Sequence, residues 1–302
     1  MATHGIPPSP CATTIQDRLT VVILTHNRRE ELRRSLDGMR VLPEQPRLVV
    51  VDNDSSDGTS AWLETHHPDI DVVRTERNLG AAARNLGVQR VHTPYVAFSD
   101  DDTWWEAGSL RAAAEILDTH PDIAVLNAHI VVGPTARPDP ACVAMSASPL
   151  EHIPDIGPML SGFMAGACVM RTHVFLEANG YWPDFFLGGE EALLAIDILD
   201  AGHHIVYAPA LTVHHWPSEV RDSAMRRHLL ARNAIWTAWL RLPWLLALHR
   251  TRTTLAQVSD PRQRWKAAAA ALHGARTVFS KRRLVRPDTR KLLERVWRHE
   301  AR

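Results

Sequence analysis

The chain has 302 residues, 45% of them hydrophobic, with 34 basic and 34 acidic side chains and a formal net charge of zero. This length and composition are those of a globular chain with a large core, which excludes an intrinsically disordered protein. Three widely spaced cysteines without a C-x-x-C pattern argue against a disulfide framework or a zinc site and predict a reducing, cytoplasmic environment.

Short apolar runs alternate with helical patterns in the first part of the chain. Residues 1–17 are rich in Pro and Thr, and we expect a disordered lead-in that is neither a signal peptide nor an anchor. Buried strands are predicted at 19–24, 47–51, 71–74 and 95–99. Helices that separate or follow these strands are predicted at 28–39, 78–91 and 106–119. The alternation predicts an α/β fold with a mainly parallel, doubly wound sheet whose strands end along one edge.

Polar clusters follow three of these strands: 25–27, 52–59 and the acidic triplet of Asp100, Asp101 and Asp102. Neighbouring carboxylates raise one another's pKa unless a cation lies nearby, and hard oxygen ligands suit Mg²⁺ or Mn²⁺. Taken alone, the triplet is as typical of a solvated turn or a helix N-cap, but three clusters on one sheet edge favour a binding site. No glycine-rich phosphate loop follows the first strand, which disfavours a Rossmann dinucleotide fold and a P-loop.

A long stretch without periodicity interrupts the second part of the chain. After a predicted strand at 123–126, residues 133–158 are rich in Pro, Ala and Ser, and we predict a long variable loop. A glycine-interrupted apolar segment follows at 161–170, and 171–178 is predicted to be a short helix.

Two further polar pairs lie near the end of this part. The acidic pair, Glu190 and Glu191, opens a helix that we predict to end at Ala201-Gly202, although glutamates at such a position are often only partners of the helix dipole. Strands predicted at 204–208 and 211–213 lead into His214 and His215. These histidines are either ligands of a metal or phosphate, or a surface pair.

Taken together, these motifs resemble the family 2 glycosyltransferases, which have the GT-A fold. The resemblance extends from Leu19 to Pro217. The segments that carry it, in chain order, are 21–28, 50–59, 78–87, 98–102, 189–191 and 213–215.

The resemblance implies a metal-dependent, inverting transferase that uses Mn²⁺ or Mg²⁺. It would move a sugar from a nucleoside diphosphate sugar (UDP, dTDP or GDP) to an acceptor hydroxyl on a polysaccharide, a lipid-linked glycan or a small-molecule glycoside. We expect the acceptor specificity of such an enzyme to lie in residues 133–162, the stretch with the least pattern.

The resemblance also assigns residues to the donor site. By position, the side chains that would line the nucleoside pocket are Thr25, Asn27, Asp52 and Asn53, with Arg84 near the base or the phosphates. Relatives often carry Asp where this chain has Asn53, so UDP is a less secure choice of nucleotide than it would be with Asp at that position.

The metal and the general base are assigned in the same way. Asp102 is the expected metal ligand, and Asp100 and Asp101 would face the ribose and the sugar, with Asp100 also contributing to the metal site. His214 or His215 would complete the metal shell. Glu191, beside Glu190, would be the general base. Many relatives have an acidic residue where this chain has Leu193, a change that we expect to affect packing or acceptor contacts.

Two alternatives to a glycosyltransferase remain at this stage. A nucleotidyltransferase also binds metal through carboxylates on an α/β sheet, but it is expected to have a Gly- and Lys/Arg-rich loop after the first strand, which is missing. A non-catalytic nucleotide-sugar-binding module would keep the fold alone, and the intact acidic residues and histidines argue against it.

The charge of the chain is divided unevenly along its length. Residues 219–302, the extension, contain 20 basic and 6 acidic residues, a net of +14, and the rest carries the opposite net of −14. We therefore predict a GT-A domain at 18–218, with a nucleotide-binding part at 18–130 and an acceptor part at 131–218, followed by a basic, Trp- and Arg-rich helical extension.

Two interpretations of the extension are open. Tryptophans flanked by arginines are typical of interfacial helices, so the protein would be cytoplasmic and peripheral on the inner face of an anionic membrane. The apolar stretch around 235–248 is interrupted by Arg241 and Pro243 and is too short to span a bilayer. Alternatively, the extension is a basic cover packed on the acidic domain. Nucleic acid is not an expected partner, because no reading motif is present.

Overall fold

The computed structural model describes residues 14–217 and 223–300, and side chains from position 227 onward in the second range. Residues 1–13 of the predicted lead-in and the predicted boundary at 218–219 therefore lie outside the described residues. Within them, Ile15–Arg18 forms a single helical turn, α1, directly before the first strand.

The first part of the chain forms a parallel sheet with helices against it. Its strands are β1 (Leu19–Thr25), β2 (Arg47–Asp52), β3 (Asp71–Arg74) and β4 (Tyr95–Asp100). Its helices after α1 are α2 (Arg29–Arg40), α3 (Thr59–His66) and α4 (Arg84–Val88), the last preceded by a 3₁₀ turn at Gly80–Ala83. These four strands lie in the order β3-β2-β1-β4, and each neighbouring pair is parallel.

Burial explains why these segments form strands and helices. The side chains of β1 and β4 are buried almost throughout, as expected of central parallel strands that are covered on both faces. In α2, Leu32, Leu36 and Met39 form one buried stripe at helical spacing. The helix predicted at 78–91 is shorter than expected: it begins as the 3₁₀ turn at Gly80 and ends at Val88.

The second part of the chain extends this sheet through both antiparallel and parallel pairs and adds a separate two-stranded sheet. Its strands are β5 (Thr103–Trp105), β6 (Ile123–Val132), β7 (Arg137–Pro138), β8 (His152–Ile153), β9 (Gly157–Pro158), β10 (Ala167–Arg171) and β11 (His204–His215). Its helices are α5 (Ser109–Thr119), α6 (Pro140–Ser146), α7 (Thr172–Glu177) and α8 (Glu190–Ala201), with a 3₁₀ turn at Pro183–Phe185. In the described residues the main sheet has nine strands, in the order β3-β2-β1-β4-β10-β6-β11-β5 with β7 on β6.

Several sequence predictions for this part need correction. The stretch at 133–158, predicted to be a loop, contains β7, α6, β8 and β9. The two strands predicted at 204–208 and 211–213 are one strand, β11, with a register shift around Pro209. A proline has no N–H to donate to the ladder, so its pattern resembles a strand end when the sequence is read alone. Trp104 and Trp105 lie in β5, a strand that the sequence did not predict, and the helix predicted at 106–119 begins at Ser109.

The extension is helical, as its sequence predicts. Its helices are α9 (Ser223–Arg241), α10 (Trp244–Gln257), α11 (Pro261–His273), α12 (Ala275–Ser280) and α13 (Pro287–Glu300). Prolines stand at or just before the start of α10, α11 and α13, where a missing N–H costs nothing. Among the residues that the structure describes, no helix is long and apolar enough to cross a membrane.

The extension packs on α8 through both charge and apolar contact. Arg241 of α9 makes a two-pronged ion pair with Asp197 of α8, with Nε–Oδ1 and Nη2–Oδ2 distances of 2.5 and 2.7 Å. Arg283 also pairs with Asp197, at 2.9 Å, and the backbone N–H of Arg286 donates to Asp200 at 2.7 Å. The interpretation of a basic cover on an acidic domain therefore describes how these residues are arranged.

Apolar side chains complete this seam. Leu193 of α8 is buried in a cluster with Ile235, Trp236 and Leu240 of α9. The leucine that stands where many relatives have an acidic residue thus packs against the extension, one of the two consequences expected for it. A second cluster joins Ile196 of α8 to α9, α10 and α13.

Candidate active site

Three of the predicted polar clusters do meet at one edge of the sheet. Thr25 at the end of β1 lies opposite Asp52 at the end of β2, and Leu24 lies opposite Asp100 at the end of β4. The carboxyl ends of parallel strands share an edge, so residues far apart in sequence become neighbours there. This edge is the candidate active site.

Asp52 and Asn53 hold the loops of this edge in place. The Asp52 carboxylate is fully buried and accepts hydrogen bonds from the Ser55 N–H, at 3.0 Å, and from the Ser60 hydroxyl. The Asn53 amide donates to Asn78 Oδ1 (2.9 Å) and Gly80 O (3.2 Å), while its oxygen accepts from Leu79 N–H (2.8 Å) and Thr75 Oγ1 (3.3 Å). These contacts use both donors of the amide and join its oxygen to the loop after β3, so Asn53 shapes the pocket.

Thr25 and Asn27 lie at the end of β1, on this edge. Thr25 is buried, and its hydroxyl has no hydrogen-bond partner in the described part of the chain. Asn27 has a left-handed backbone (φ 55°), which Asn tolerates better than most residues, and its oxygen accepts from the Ser56 N–H at 2.7 Å. His26 lies between them and bonds through Nδ1 to the Asn53 carbonyl at 2.7 Å.

The three carboxylates of the acidic triplet differ strongly in exposure. The Asp100 side chain is 41% exposed, whereas those of Asp101 and Asp102 are 7% and 4% exposed. Asp100 is paired with the buried guanidinium of Arg84. Burial lowers the pKa of Arg84, but the carboxylate of Asp100 and further acidic neighbours outweigh it and raise that pKa overall. Arg84 therefore remains a fixed cation.

Gly166, at the turn before β10, lies directly against Asp100. A Cβ at this position would be 2.6 Å from Asp100 Oδ2. The absence of a side chain at Gly166 therefore leaves room for the Asp100 carboxylate.

Asp101 and Asp102 share one cation, Arg28. Its Nη1 lies 3.1 Å from Asp101 Oδ1 and 3.6 Å from Asp102 Oδ2. Burial raises the pKa of Asp101 to about 7 against the opposing effect of Arg28, and the neighbouring carboxylates of Asp102 and Asp100 raise it further. An additional cation beside the triplet would stabilise its ionised form.

His215 and His214 separate to opposite faces because side chains alternate along a strand. His215 Nε2 lies 3.7 Å from Asp102 Oδ1. His214 instead stacks on Trp104, with ring centroids 5.4 Å apart, and its Nε2 lies 3.4 Å from Glu106. The structure thus brings His215 to the triplet and does not bring His214.

Asp102 and His215 are a pair of side chains that could act as metal ligands. The Asp102 carboxylate and the His215 imidazole lie side by side at the sheet edge, with Oδ1 and Nε2 3.7 Å apart. In the described residues, no group of three or more His, Cys, Asp or Glu side chains is arranged to hold a metal. Such a pair suits Mg²⁺ or Mn²⁺, which takes few protein ligands and fills its shell with phosphate oxygens and water.

The acidic pair stands at the start of α8. Gly188 and Gly189, both at positive φ (86° and 80°), form the turn that presents it. Glu190 is buried, and its Oε2 has no hydrogen-bond partner among the described residues. Burial and the Glu190 charge raise the pKa of Glu191 to about 7, and burial raises that of Glu190 as well. A carboxylate with a pKa near neutrality is suited to accept a proton at physiological pH.

Sequence reasoning missed Arg28 as a site residue. It ended the first polar cluster at Asn27, although Arg28 belongs to the segment that carries the family resemblance. A basic residue beside a predicted carboxylate cluster was the available signal. Its pairing with residues 73 and 74 positions away depends on the fold.

The chain is similar in sequence to known proteins over half of its length or more. The family model described as Glycosyl transferase family 2 matches residues 20–172. The chain is 28% identical over 239 residues to the pre-mycofactocin glycosyltransferase of Mycobacterium tuberculosis, covering 75% of this chain and 48% of that protein. It is 24% identical over 253 residues to the N-acetylglucosaminyl-diphospho-decaprenol L-rhamnosyltransferase of the same organism, covering 71% and 81%. This chain thus spans about half the length of the first relative.

Solved structures show the same architecture. The mannosyltransferase PcManGT from Pyrobaculum calidifontis, in complex with GDP-Man and Mn²⁺, superposes with a TM-score of 0.57 at 20% identity, covering 95% of this chain and 82% of that one. S. aureus TarS 1-349 superposes with a TM-score of 0.57 at 16% identity, covering 88% and 89%. These similarities confirm the predicted GT-A type of α/β fold.

Proposed function

This chain belongs to glycosyl transferase family 2, and from that premise we propose that it transfers a sugar from a nucleoside diphosphate sugar to an acceptor hydroxyl. The reaction we propose is metal-dependent and inverts the anomeric centre. The observation that carries the proposal is the presence of two distinct acidic centres: a triplet with cationic partners at the sheet edge, and a carboxylate pair at the start of α8, of which Glu190 is buried and Glu191 is partly buried.

We propose that the sheet edge binds the donor. Asp102 and His215 would hold Mn²⁺ or Mg²⁺, which when bound neutralises the charge that develops on the leaving diphosphate. Arg28, which lies against both Asp101 and Asp102, would hold these two carboxylates in place at the donor site. Thr25 and Asn27 line the nucleoside pocket, while Asp52 and Asn53 hold its loops in shape.

The transferred sugar would lie between the two acidic centres. Asp100, held by Arg84 and half-exposed, is placed to bind sugar or ribose hydroxyls. The charges of Glu190 and Glu191 also raise the pKa of Arg84, so this guanidinium interacts electrostatically with both acidic centres. A sugar bound at Asp100 thus presents one face toward the acidic pair.

Glu191 is the general base that we propose. Its raised pKa lets the ionised carboxylate take the proton of the acceptor hydroxyl as that oxygen attacks the anomeric carbon. Attack from the side opposite the diphosphate, in one displacement, inverts the configuration. Glu190 raises the proton affinity of Glu191.

The names of similar proteins support a nucleotide-sugar donor. The solved structures include complexes with GDP-Man, UDP and UDP-GlcNAc, and the curated relatives are named for a lipid-linked diphosphate and a pre-mycofactocin acceptor. We propose a UDP-, dTDP- or GDP-sugar donor and a lipid-linked, polysaccharide or small-molecule acceptor. We also retain the division into parts at 18–130, 131–218 and 219–302 as a proposal.

The test combines a donor screen with two variants. A thermal-shift screen of UDP-, dTDP- and GDP-sugars with Mn²⁺ identifies the donor, and donor hydrolysis or transfer is then measured. We expect Asp102→Ala to abolish turnover, and Glu191→Gln to reduce it by about 10²- to 10⁴-fold while donor binding is retained. Glu177→Gln, an exposed carboxylate of α7, is the matched control. Near-normal turnover in either site variant would contradict the assignment.

We propose, in addition, that the extension docks on an anionic membrane surface from the cytoplasm. The extension carries a net charge of +14 and exposes large apolar side chains, which are Trp244, Leu245, Trp265, Leu272 and Phe279. Arg282 lies over the Trp244 ring at 4.8 Å. Vesicles of phosphatidylglycerol and phosphatidylcholine should bind the protein at low salt, and Trp265→Ser with Leu272→Ser should weaken binding. A protein that stays in the soluble fraction at low salt would refute this proposal.

A further inference from the structure

A cavity of about 450 Å³ opens beside the acidic pair. Its volume falls in the usual range of small-molecule sites. Glu190 and Glu191 line one side, and most of the remaining wall is apolar: Phe163, Leu187, Ile196, Leu230, Leu242 and Trp297. A molecule in this cavity would have its polar end at the acidic pair and an apolar body beyond it.

The extension supplies much of this wall. Leu230, Ala234 and Thr237 project from α9 at spacings of four and three residues, so they share one face of that helix. Helices α10 and α13 contribute Arg250 and Trp297, whose guanidinium and ring are stacked 4.4 Å apart. The seam between α8 and the extension is therefore also the border of a cavity that reaches the proposed base.

Thr237 is a buried polar residue that lines this cavity. The residue is 7% exposed and lines the cavity, yet its hydroxyl has no hydrogen-bond partner in the described part of the chain. Glu190 Oε2, on the same cavity, is also without one. Buried polar atoms are normally satisfied, because leaving one without a partner costs about 1–3 kcal/mol. A hydroxyl group of a ligand that reached either atom would supply the missing hydrogen bond.

We propose that this cavity is the acceptor site, and that the acceptor joins its reacting sugar or hydroxyl group to an apolar aglycone. Thr237 hydrogen-bonds the polar group of the acceptor, and the apolar wall holds the aglycone. This inference rests on the proposed function, since it assigns Glu191 as the base that the acceptor meets. It also assigns acceptor recognition mainly to α8 and the extension. Of the stretch at 133–162 that the sequence suggested for this role, Ser161 and Gly162 line the cavity.

The first test measures binding without a donor. Methyl, butyl, hexyl and octyl β-D-glucosides, each below its micellar concentration, are titrated into the full-length protein by calorimetry. We expect the dissociation constant to fall about two- to fourfold per added methylene, as for methylene groups that leave water. An affinity that is independent of chain length, or no binding by the octyl glucoside, would overturn the proposal.

Variants show whether the alkyl chain occupies this cavity. Ala234 is exposed and lines the cavity, so Ala234→Trp fills it with little effect on the core and should remove the chain-length dependence. Leu230→Asp should weaken octyl glucoside binding at least tenfold. Leu176→Asp is the matched control, because Leu176 is 50% exposed against 40% for Leu230 and does not line the cavity. Unchanged chain-length dependence in Ala234→Trp would place the binding elsewhere and overturn the proposal.

Thr237→Val tests the hydrogen bond. The substitution keeps the shape and removes a hydroxyl that has no protein partner, so the melting temperature should not fall. Every glucoside should bind about three- to tenfold more weakly, with the chain-length dependence intact. Wild-type affinity in this variant would remove Thr237 from the site.

The two proposals can fail separately. If no nucleotide sugar binds or is hydrolysed, the proposed transferase function fails, whatever the glucosides do. If donor turnover is present but the glucosides bind without chain-length dependence, the acceptor assignment fails and the transferase function stands.

Discussion

The ion pair between Asp197 and Arg241 should be a main support of the seam between α8 and α9. The two side chains are 11% and 10% exposed and are joined by two parallel hydrogen bonds of 2.5 and 2.7 Å. Removing one member of such a buried pair leaves the other uncompensated, which typically costs about 3–5 kcal/mol. The unpaired group in Asp197→Ala would be Arg241.

The magnitude for Asp197→Ala follows from its surroundings. Asp197 also pairs with Arg283, but that side chain is 58% exposed and its contribution is screened by water. We therefore expect a loss of about 3 kcal/mol, which corresponds to a fall in melting temperature on the order of 5 °C for a chain of this size. Arg241→Met should cost less, because Asp197 keeps its contact with Arg283.

The assay is thermal and urea unfolding of the wild type, the single variants Asp197→Ala, Asp197→Leu and Arg241→Met, and the double variant. The double variant Asp197→Leu with Arg241→Met should recover much of the loss, because it leaves no buried charge of this pair behind. The control pair Arg33 and Asp37 lies on one face of α2 and is 53% and 60% exposed, so Asp37→Ala should cost no more than about 0.5 kcal/mol.

Function provides a second readout of the same variant. α8 carries the acidic pair and α9 carries Thr237, so loosening their seam should raise the KM for the acceptor more than that for the donor. The reasoning about burial is refuted if Asp197→Ala has the melting temperature of the wild type. It is also refuted if Asp37→Ala lowers the melting temperature as much as Asp197→Ala does.

Two further predictions concern the site itself. Because burial and Glu190 raise the pKa of Glu191 to about 7 and the base must be ionised, kcat/KM should fall as the pH drops below about 7; a limb at the ordinary glutamate value of about 4.3 would contradict this role. Gly166→Ala would place a Cβ 2.6 Å from Asp100 Oδ2, so Asp100 must move, and donor turnover should fall at least tenfold with little change in melting temperature. Wild-type kinetics in Gly166→Ala would show that the position of Asp100 is not critical.

Local pattern was sufficient for the sheet edge. A run of β-branched and apolar residues followed by polar ones predicts a strand and its end, and the parallel order of such strands brings Thr25, Asp52 and Asp100 together. The helix that begins with the acidic pair was also predictable, and it ends at Ala201 before Gly202 as predicted. These features depend on neighbours in sequence, which is why they could be predicted.

Features that depend on distant residues were not predictable in this way. Whether His214 or His215 faces the triplet is decided by the register of β11 on β5, where one residue reverses the face. The side-chain amide of Asn53 hydrogen-bonds the loop after β3, which lies about 25 residues away in sequence.

The sequence by itself therefore determined the strand ends, the carboxylates at the sheet edge, the acidic pair and the charge division between the domain and the extension. Tertiary structure alone decided that Arg28 serves two of the triplet carboxylates, that Leu193 packs under α9, and that the extension borders a cavity at Glu191. The physical reason is that a strand end is set by the hydrophobicity of adjacent residues. An ion pair or a cavity wall is set by the packing of helices and strands that lie far apart along the chain.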